Sequence, residues 1–333
     1  MTTILAKSDS FDNVELFTKL SFSDKITNML HNYKDQDSKL IINEIYNLDI
    51  NELIKNDLIN NILNNTNTIE LGLIILNDLC INKINLEAYI IDFLPKILNL
   101  ISNKNCINIK NIIYDTGYAI INLSNMYAMD KILNYLFQGI NNTNWQIKIF
   151  SLKLLKEYAN KSKKNFSKML YQVLPIVSNA IWDTKKEVKI IAKETTLSIM
   201  RTCDNKDIQS LIPIILDTIE NPEYIEETLH KLSSTVFVQS VDNSTLSITV
   251  PILIRGCQDK KTENKRRVCV IADNMCKLID YPHDASTFLP ELKPFILRLS
   301  NEISDPEARI VATKCLKTLN NIEENAKTFE KKK

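Results

Sequence analysis

The side chains in this sequence that could bind a ligand most readily are lysines and arginines in short clusters. The candidate contacts are Lys185, Lys186, Lys189 and Lys193 in a first cluster, and Lys260, Lys261, Lys265, Arg266 and Arg267 in a second. Ammonium and guanidinium groups bind phosphate oxygens, and such contacts supply most sequence-independent affinity for nucleic acids. The 333 residues carry 41 Lys+Arg and 40 Asp+Glu, a net charge of +1. Any nucleic-acid contact is therefore expected at local clusters and not over the whole surface.

The sequence lacks the motifs of common catalytic, cofactor and metal sites. Its 4 glycines are too far apart for a phosphate-binding P-loop, and there is no G-x-S-x-G, H-E-x-x-H or kinase catalytic loop. The 7 cysteines contain no CxxC pair and the 3 histidines are widely separated. Because zinc sites need closely spaced ligands, we interpret the cysteines as reduced core thiols. We predict a chain with no catalytic, cofactor-binding or metal-binding residues, which is not an enzyme.

Proline positions indicate an internal repeat. A Leu-Pro, Ile-Pro or Val-Pro pair places Pro175, Pro213, Pro251 and Pro290 38 or 39 residues apart, and Pro95 lies 80 residues before Pro175. Proline is tolerated in the first turn of a helix, since the N–H that it lacks would be unpaired there. Each proline is therefore predicted to mark the first turn of the first helix in a repeated unit.

A polar residue eight positions later predicts a turn before a second helix. Asn103, Asp183, Asn221 and Asp259 follow a proline by eight residues, and Asn142 follows Asn134, which takes the proline position in its unit. Their side chains can accept hydrogen bonds from free backbone N–H groups at a helix start. Residues 184–187, TKKE, also have the pattern of a capping box. Apolar residues then recur at helical spacing, as at Ile147, Phe150 and Leu154.

Helix pairs of about 38 to 41 residues with these features resemble HEAT repeats. We predict an all-α fold, a HEAT-repeat α-solenoid of about seven helix pairs in a right-handed superhelix. An N-terminal helical cap is predicted at residues 1–52, the array at 53–320 and a polar C-terminal tail at 321–333. The predicted units lie near residues 53–80, 93–127, 132–159, 173–203, 211–238, 249–280 and 288–320.

Equivalent turns of a solenoid stack along one edge, so the basic clusters are predicted to form a discontinuous positive stripe. An alternative is structural: Lys148 and Lys189 would bond the Asp or Asn in the turn of a neighbouring unit. Trp145 and Trp182 lie near turns of successive units. They could stack on a base, but we favour the interpretation that they cover the end of the core between repeats.

Five segments of the second half of the sequence carry a more specific resemblance. They are DTKKEVK at 183–189, DNKDIQSLIPIILDTIENP at 204–222, STLSITVPILIRG at 244–256, KRRVCVIADNMCKLID at 265–280 and DPEARIVATKCLKTL at 305–319. These segments resemble the N-terminal HEAT domain of fungal-type translation elongation factor 3. In that family the HEAT domain docks on the ribosome, and two ATP-binding cassettes use ATP to promote release of deacylated tRNA from the exit site.

The resemblance implies a ribosomal partner, both rRNA and ribosomal proteins, and a docking surface around Lys185, Lys186, Lys189, Arg266 and Arg267. The sequence has no cassette motifs, so we expect a stand-alone, non-catalytic protein that modulates translation elongation. It would act beside a separate ATP-binding cassette protein or compete with the full-length factor. No apolar run reaches the ~18 residues that a membrane span needs, so a cytoplasmic monomer without membrane contact is expected.

Two other functions stay open from the sequence. A HEAT scaffold could hold protein partners in its concave groove without touching RNA. An enzyme could use the same concavity, as some helical-repeat DNA glycosylases do, but that requires an aromatic residue and a carboxylate in a basic groove, and Trp145 and Trp182 are too close to the turns.

Overall fold

The computed structural model describes residues 54, 57–65, 67–82 and 84–330. The predicted cap at residues 1–52 and the last three residues of the predicted tail lie outside this part of the chain. Throughout the described ranges the regular structure is helical and contains no strand. The prediction of an all-α repeat fold is confirmed.

The described residues divide into two compact units between Tyr135 and Leu136, a division that lies inside helix α6. The α-helices of the first unit are α1 (Leu58–Asn64), α2 (Ile69–Asn82), α3 (Glu87–Ile91), α4 (Leu94–Leu100), α5 (Lys110–Leu123) and α6 (Met129–Ile140). Short 3-10 turns at Ile84–Leu86, Lys104–Ile109 and Met126–Ala128 connect them. Within this unit α1 packs on α2, α4 packs on α5, and α2 packs on α5.

The second unit contains the basic clusters. Its helices are α7 (Trp145–Lys161), α8 (Lys163–Phe166), α9 (Leu170–Ala180), α10 (Lys186–Met200), α11 (Lys206–Gln209), α12 (Ile212–Glu220), α13 (Ile225–Ser234), α14 (Asn243–Cys257), α15 (Thr262–Lys277), α16 (Pro282–Ser286), α17 (Leu289–Glu302) and α18 (Pro306–Glu330). Each first helix packs on its second helix: α9 on α10, α12 on α13, α14 on α15 and α17 on α18. Second helices pack on one another as well, α7 on α10, α13 on α15 and α15 on α18.

The stacking is irregular around α12. The first helices α9 and α14 pack directly against each other, although the α12–α13 pair lies between them in sequence. Helix α12 instead contacts both α10 and α14. An open groove lies along the contact between α9 and α14, and Ile219 from the end of α12 contributes to its lining.

The repeated prolines lie at two kinds of position. Pro95, Pro213 and Pro290 are in the first turn of α4, α12 and α17, which confirms the prediction for these three. The prediction is wrong for Pro175 and Pro251, which lie inside α9 and α14 because both helices begin earlier. Both prolines are exposed residues of their helices, and each removes one backbone hydrogen bond from its helix.

Side-chain caps extend α14 beyond the start that the proline suggested. The carboxylate of Asp242 accepts the backbone N–H of Thr245 at 2.9 Å and the Thr245 hydroxyl at 2.7 Å. It also accepts the hydroxyl of Ser244 at 2.8 Å. An acceptor at the N-cap satisfies N–H groups that have no partner within the helix. This cap fixes the start of α14 at Asn243, eight residues before Pro251.

The predicted turn residues all accept a hydrogen bond from the backbone N–H two residues later. These bonds link Asn105 to Asn103, Asn144 to Asn142, Lys185 to Asp183, Glu223 to Asn221 and Lys261 to Asp259, at 2.7–3.1 Å. The predicted turn role of this repeated position is therefore confirmed. Asn103 and Asn221 are N-caps of short 3-10 turns, whereas Asn142, Asp183 and Asp259 lie two residues before the N-caps of their helices. The capping box at 184–187 is wrong, because Lys185 precedes α10 without a side-chain cap and Asp183 closes the turn in its place.

The core is built from aliphatic side chains and a few aromatic rings. Phe150, Tyr158 and Phe166 are fully buried, and the rings of Tyr158 and Phe166 meet edge to face with centroids 6.2 Å apart. All 7 cysteines are buried free thiols, as the sequence indicated. Burial raises the pKa of the Cys269 thiol to about 12, and a thiol that is neutral at pH 7 is a poor nucleophile.

Glycine serves close helix packing in this fold. A methyl group built on Gly256 would lie 2.6 Å from Cγ2 of Val268 and 2.8 Å from Cδ1 of Leu229. Glycine therefore lets α14 approach α15 and α13 at a distance that a larger residue would increase. None of the glycines in the described ranges has a positive φ, so the turns rely on Asn and Asp side chains.

Candidate nucleic-acid interface

The first basic cluster surrounds the turn that leads into α10. Asp183 holds this turn, since its Oδ1 accepts the backbone N–H of Lys185 at 2.9 Å and its Oδ2 accepts Nζ of Lys148 at 2.6 Å. Lys148 lies on α7, the second helix of the preceding unit, so the ion pair joins α7 to the turn before α10. The structural alternative, in which a lysine bonds the turn residue of the next unit, is therefore realised for Lys148.

Three members of this cluster point into solvent. Lys185, Lys186 and Lys189 are exposed, and none of them forms an ion pair with any residue of the described ranges. The structural alternative for Lys189 is therefore not realised. Lys193 differs, because its Nζ bonds Glu220 and lies 3.3 Å from Oδ1 of Asp217, both on α12.

The second basic cluster lies at the start of α15 in a similar turn. Oδ1 of Asp259 accepts the backbone N–H of Lys261 at 2.7 Å, and the ammonium group of Lys261 bonds Glu226 on α13 at 2.5 Å. Arg267 forms an ion pair with Glu263 one turn earlier on α15.

The other three members of this cluster have no carboxylate partner. Lys260 and Arg266 are exposed and Lys265 is half-buried, and the described residues provide no ion pair for any of them. Of the nine predicted contacts, six side chains therefore keep their charge available to an external ligand: Lys185, Lys186, Lys189, Lys260, Lys265 and Arg266.

An acidic turn lies between the two basic clusters along the chain. The α12–α13 pair carries exposed carboxylates at Glu220, Glu223, Glu226 and Glu227. Two of them neutralise Lys193 and Lys261. A prediction from the basic residues alone misses these carboxylates. The segment IENPEYIEE at 219–227 surrounds the turn residue Asn221, as the basic clusters surround the turn residues Asp183 and Asp259. The basic surface is therefore two patches with an acidic turn between them in sequence.

Buried and half-buried carboxylates make the second unit sensitive to acid. Burial alone raises the pKa of Asp183, but the bonds from Lys148 and from the N–H of Lys185 outweigh this and lower it. Asp273 on α15 is also buried, yet bonds from Lys277 and Thr318, each 2.6 Å long, lower its pKa too. A carboxyl group whose pKa is lower in the folded state than in the unfolded state stabilises the fold at pH values above its unfolded pKa. This stabilisation is lost as the pH falls towards the pKa of the folded state.

We expect the melting temperature to be constant near pH 6–7 and to fall below about pH 4, the unfolded pKa of aspartate. Asp183→Asn keeps an acceptor for the turn but loses the ion pair, so it should cost about 1–2 kcal/mol at neutral pH and flatten the acid fall. Thermal unfolding by circular dichroism from pH 7 to pH 3 measures both. The exposed Asp204 provides the control Asp204→Asn. An equal effect of the two substitutions would contradict a stabilising role of the ion pair between Asp183 and Lys148.

The two tryptophans each present part of the indole to solvent. Trp145 opens α7 and is 40% exposed, and Trp182 follows α9 and is 55% exposed. Trp182 also lines the groove between α9 and α14. Trp145 lies at the start of a helix, whereas Trp182 lies in the turn that carries Lys185.

Two further structural observations bear on function. No helix in the described part of the chain is both long and apolar enough to cross a membrane. Among the same residues, no group of three His, Cys, Asp or Glu side chains is arranged to hold a metal ion.

Comparisons with known proteins place these elements in a family. The family model described as EF3 N-terminal HEAT repeat matches residues 31–196, and the model described as Elongation factor 3/GNC1 HEAT repeat matches residues 223–330. These two ranges contain both turns with the basic clusters, and the acidic residues Glu223, Glu226 and Glu227 as well.

Individual relatives agree with the family models. Elongation factor 3A of Saccharomyces cerevisiae is 37% identical over 72% of this chain and 23% of its own length. Elongation factor 3 of Pneumocystis carinii is 36% identical over 70% of this chain and 22% of its own. Elongation factor 3 of Phytophthora infestans is 35% identical over the same shares. The chain thus spans less than a quarter of the length of these relatives, and it belongs to the elongation factor 3 family of HEAT-repeat domains.

Proposed function

We propose that this protein binds the ribosome and modulates translation elongation without catalysing a reaction itself. The observation that carries the proposal is the set of six basic side chains at the starts of α10 and α15 that form no ion pair with the residues the structure describes. Exposed cations that are not neutralised internally can release counterions when they bind phosphates. Lys193, Lys261 and Arg267, by contrast, act first as bonds between or within repeats.

The family supports a ribosomal partner. The relatives carry the name elongation factor 3, and the residue ranges matched by the two family models contain both basic patches. The proposed contacts are rRNA for the basic patches and ribosomal proteins for the surfaces beside them. A monomer in the cytoplasm, acting with a separate ATP-binding cassette protein or in competition with a full-length factor, is part of the same proposal.

Co-sedimentation of the purified protein with ribosomes across a salt series tests the proposal. With about five phosphate contacts, log K should fall with log [salt] at a slope of about −4. A slope of this size supports docking through phosphates. Absence of association at low salt, where these contacts are strongest, would reject it.

A protein scaffold is the second candidate, and the acidic α12–α13 turn is the observation that favours it. Glu223 is exposed between the two basic clusters in sequence, has no ion pair among the described residues, and would repel phosphates but attract a basic protein segment. A single non-ribosomal partner whose binding is unchanged when the basic patches are reversed would support this function. Partner binding that depends on the basic patches would favour the RNA contact instead.

A further inference from the structure

The groove between α9 and α14 has the features of a site for one unstacked base. It has a volume of about 280 Å³ and is lined by Trp182, Pro175, Pro251 and Arg255, among others. Drug-sized ligands occupy pockets of about 300–1,000 Å³, so this one suits a smaller flat group. We propose that it accepts a single unpaired nucleobase of RNA, an inference that rests on the proposed function and names the part of the RNA that is recognised.

Flat apolar surfaces provide the stacking contact. Trp182 is 55% exposed as a residue although it contributes to the groove wall. The rings of Pro175 and Pro251 are exposed on the two helices that form the groove. Bases stack on aromatic side chains without regard to sequence, because every base has a π-face.

Polar groups around the same groove suit the edge of a base. The guanidinium of Arg255 is held in place by the carbonyl oxygen of Thr218 at 2.6 Å, and its remaining N–H donors can bond a ligand. Asn179 is exposed on the groove lining and offers both a donor and an acceptor. Because Pro251 has no N–H, the carbonyl of Ser247, another lining residue, receives no hydrogen bond from position 251.

The charge next to the groove favours a nucleotide over an apolar peptide. Trp182 is three residues before Lys185 in a turn that Asp183 closes. Lys185 and Lys186 are exposed and without carboxylate partners in the described chain. A base stacked on Trp182 would therefore carry its own phosphate towards unneutralised ammonium groups. The A-form duplex keeps its bases stacked inside, so the groove selects unpaired RNA.

The two tryptophans allow a direct test. In the Trp145→Phe variant, Trp182 is the only fluorophore of its kind, and stacking on a base should quench its emission. A dye-labelled adenine 12-mer and a 12-base-pair RNA duplex serve as probes, with anisotropy reporting binding. We expect quenching by the single strand that follows the anisotropy curve, and no quenching by the duplex.

Affinity changes separate stacking from a merely structural role of the indole. Trp182→Leu should weaken single-strand binding about 10- to 100-fold and leave duplex binding unchanged, whereas Trp182→Tyr should retain most of the affinity. Unchanged emission while the single strand binds, or equal binding by Trp182→Leu, would overturn the base site but leave the phosphate contacts intact. Absence of binding to either RNA at low salt would overturn the base site, while ribosome co-sedimentation decides the proposed function separately.

Discussion

Replacing Lys185, Lys186 and Lys189 with glutamate will reduce ribosome binding by about 10²- to 10³-fold at 0.1 M salt. Each lost phosphate contact removes about 0.9 from the slope of log K against log [salt], so the slope should become shallower by about 3 units. The three ammonium groups are exposed and have no carboxylate partners within the described chain. Their loss therefore removes contacts with the ligand and breaks no ion pair among the residues that the structure describes. Co-sedimentation at several salt concentrations measures both quantities.

The matched control is a second triple variant with the same change in net charge at lysines outside the two basic clusters. Lys104, Lys206 and Lys317 are also exposed and form no ion pair with the described residues. Their triple replacement by glutamate changes the net charge equally, so long-range electrostatics alone would weaken binding to the same extent. A local docking surface predicts a loss of less than about tenfold and a slope close to the wild-type value. Equal losses of ribosome affinity in the two triple variants would contradict the proposal that Lys185, Lys186 and Lys189 form a docking surface.

Replacing Phe166 with alanine will destabilise the second unit by about 3–5 kcal/mol, the range for a fully buried aromatic side chain. Phe166 ends the short helix α8, has no exposed surface and packs edge to face against Tyr158. The substitution removes this ring pair and leaves a cavity where α8 joins α7 to α9. For about 200 residues the melting temperature should fall by about 6–20 °C. Differential scanning calorimetry provides the measurement.

Phe166→Leu separates the volume of the ring from its aromatic contact. Leucine fills much of the cavity, so the expected loss is about 1–2 kcal/mol. Binding of ribosomes by either variant below its melting temperature should equal that of the wild type, because Phe166 is fully buried. A loss below 1 kcal/mol for alanine would contradict the packing of this residue.

Short-range sequence patterns predicted the helix pairs, the turns within them and the burial of the cysteines. The proline period, the Asn or Asp eight residues later and the helical spacing of apolar residues predicted helix pairs, since each is a short-range property of the backbone. The bond from the N–H of Lys185 to Asp183 needs only a turn of three residues, and it is present. The cysteines, lacking metal-ligand spacing, are buried as expected.

The positions of Pro175 and Pro251 show where local patterns end. A proline signals a first turn only if no acceptor further upstream can start the helix earlier, and Asp242 is such an acceptor for α14. The prediction of first-turn prolines therefore succeeds at Pro213 and fails at Pro251. Both residues have the same spacing in sequence, so spacing alone could not separate them.

The sequence by itself determined the repeat, its turns and the location of the basic clusters in the chain. Only the tertiary structure decided which cations are free, because an ion pair depends on side chains brought together from different helices. Lys193 and Lys189 are one turn apart on α10, yet Lys193 meets Glu220 from α12 and Lys189 meets no carboxylate in the described chain. The groove at Trp182 likewise exists because α9 packs against α14 across an intervening helix pair, a long-range contact that no local pattern encodes.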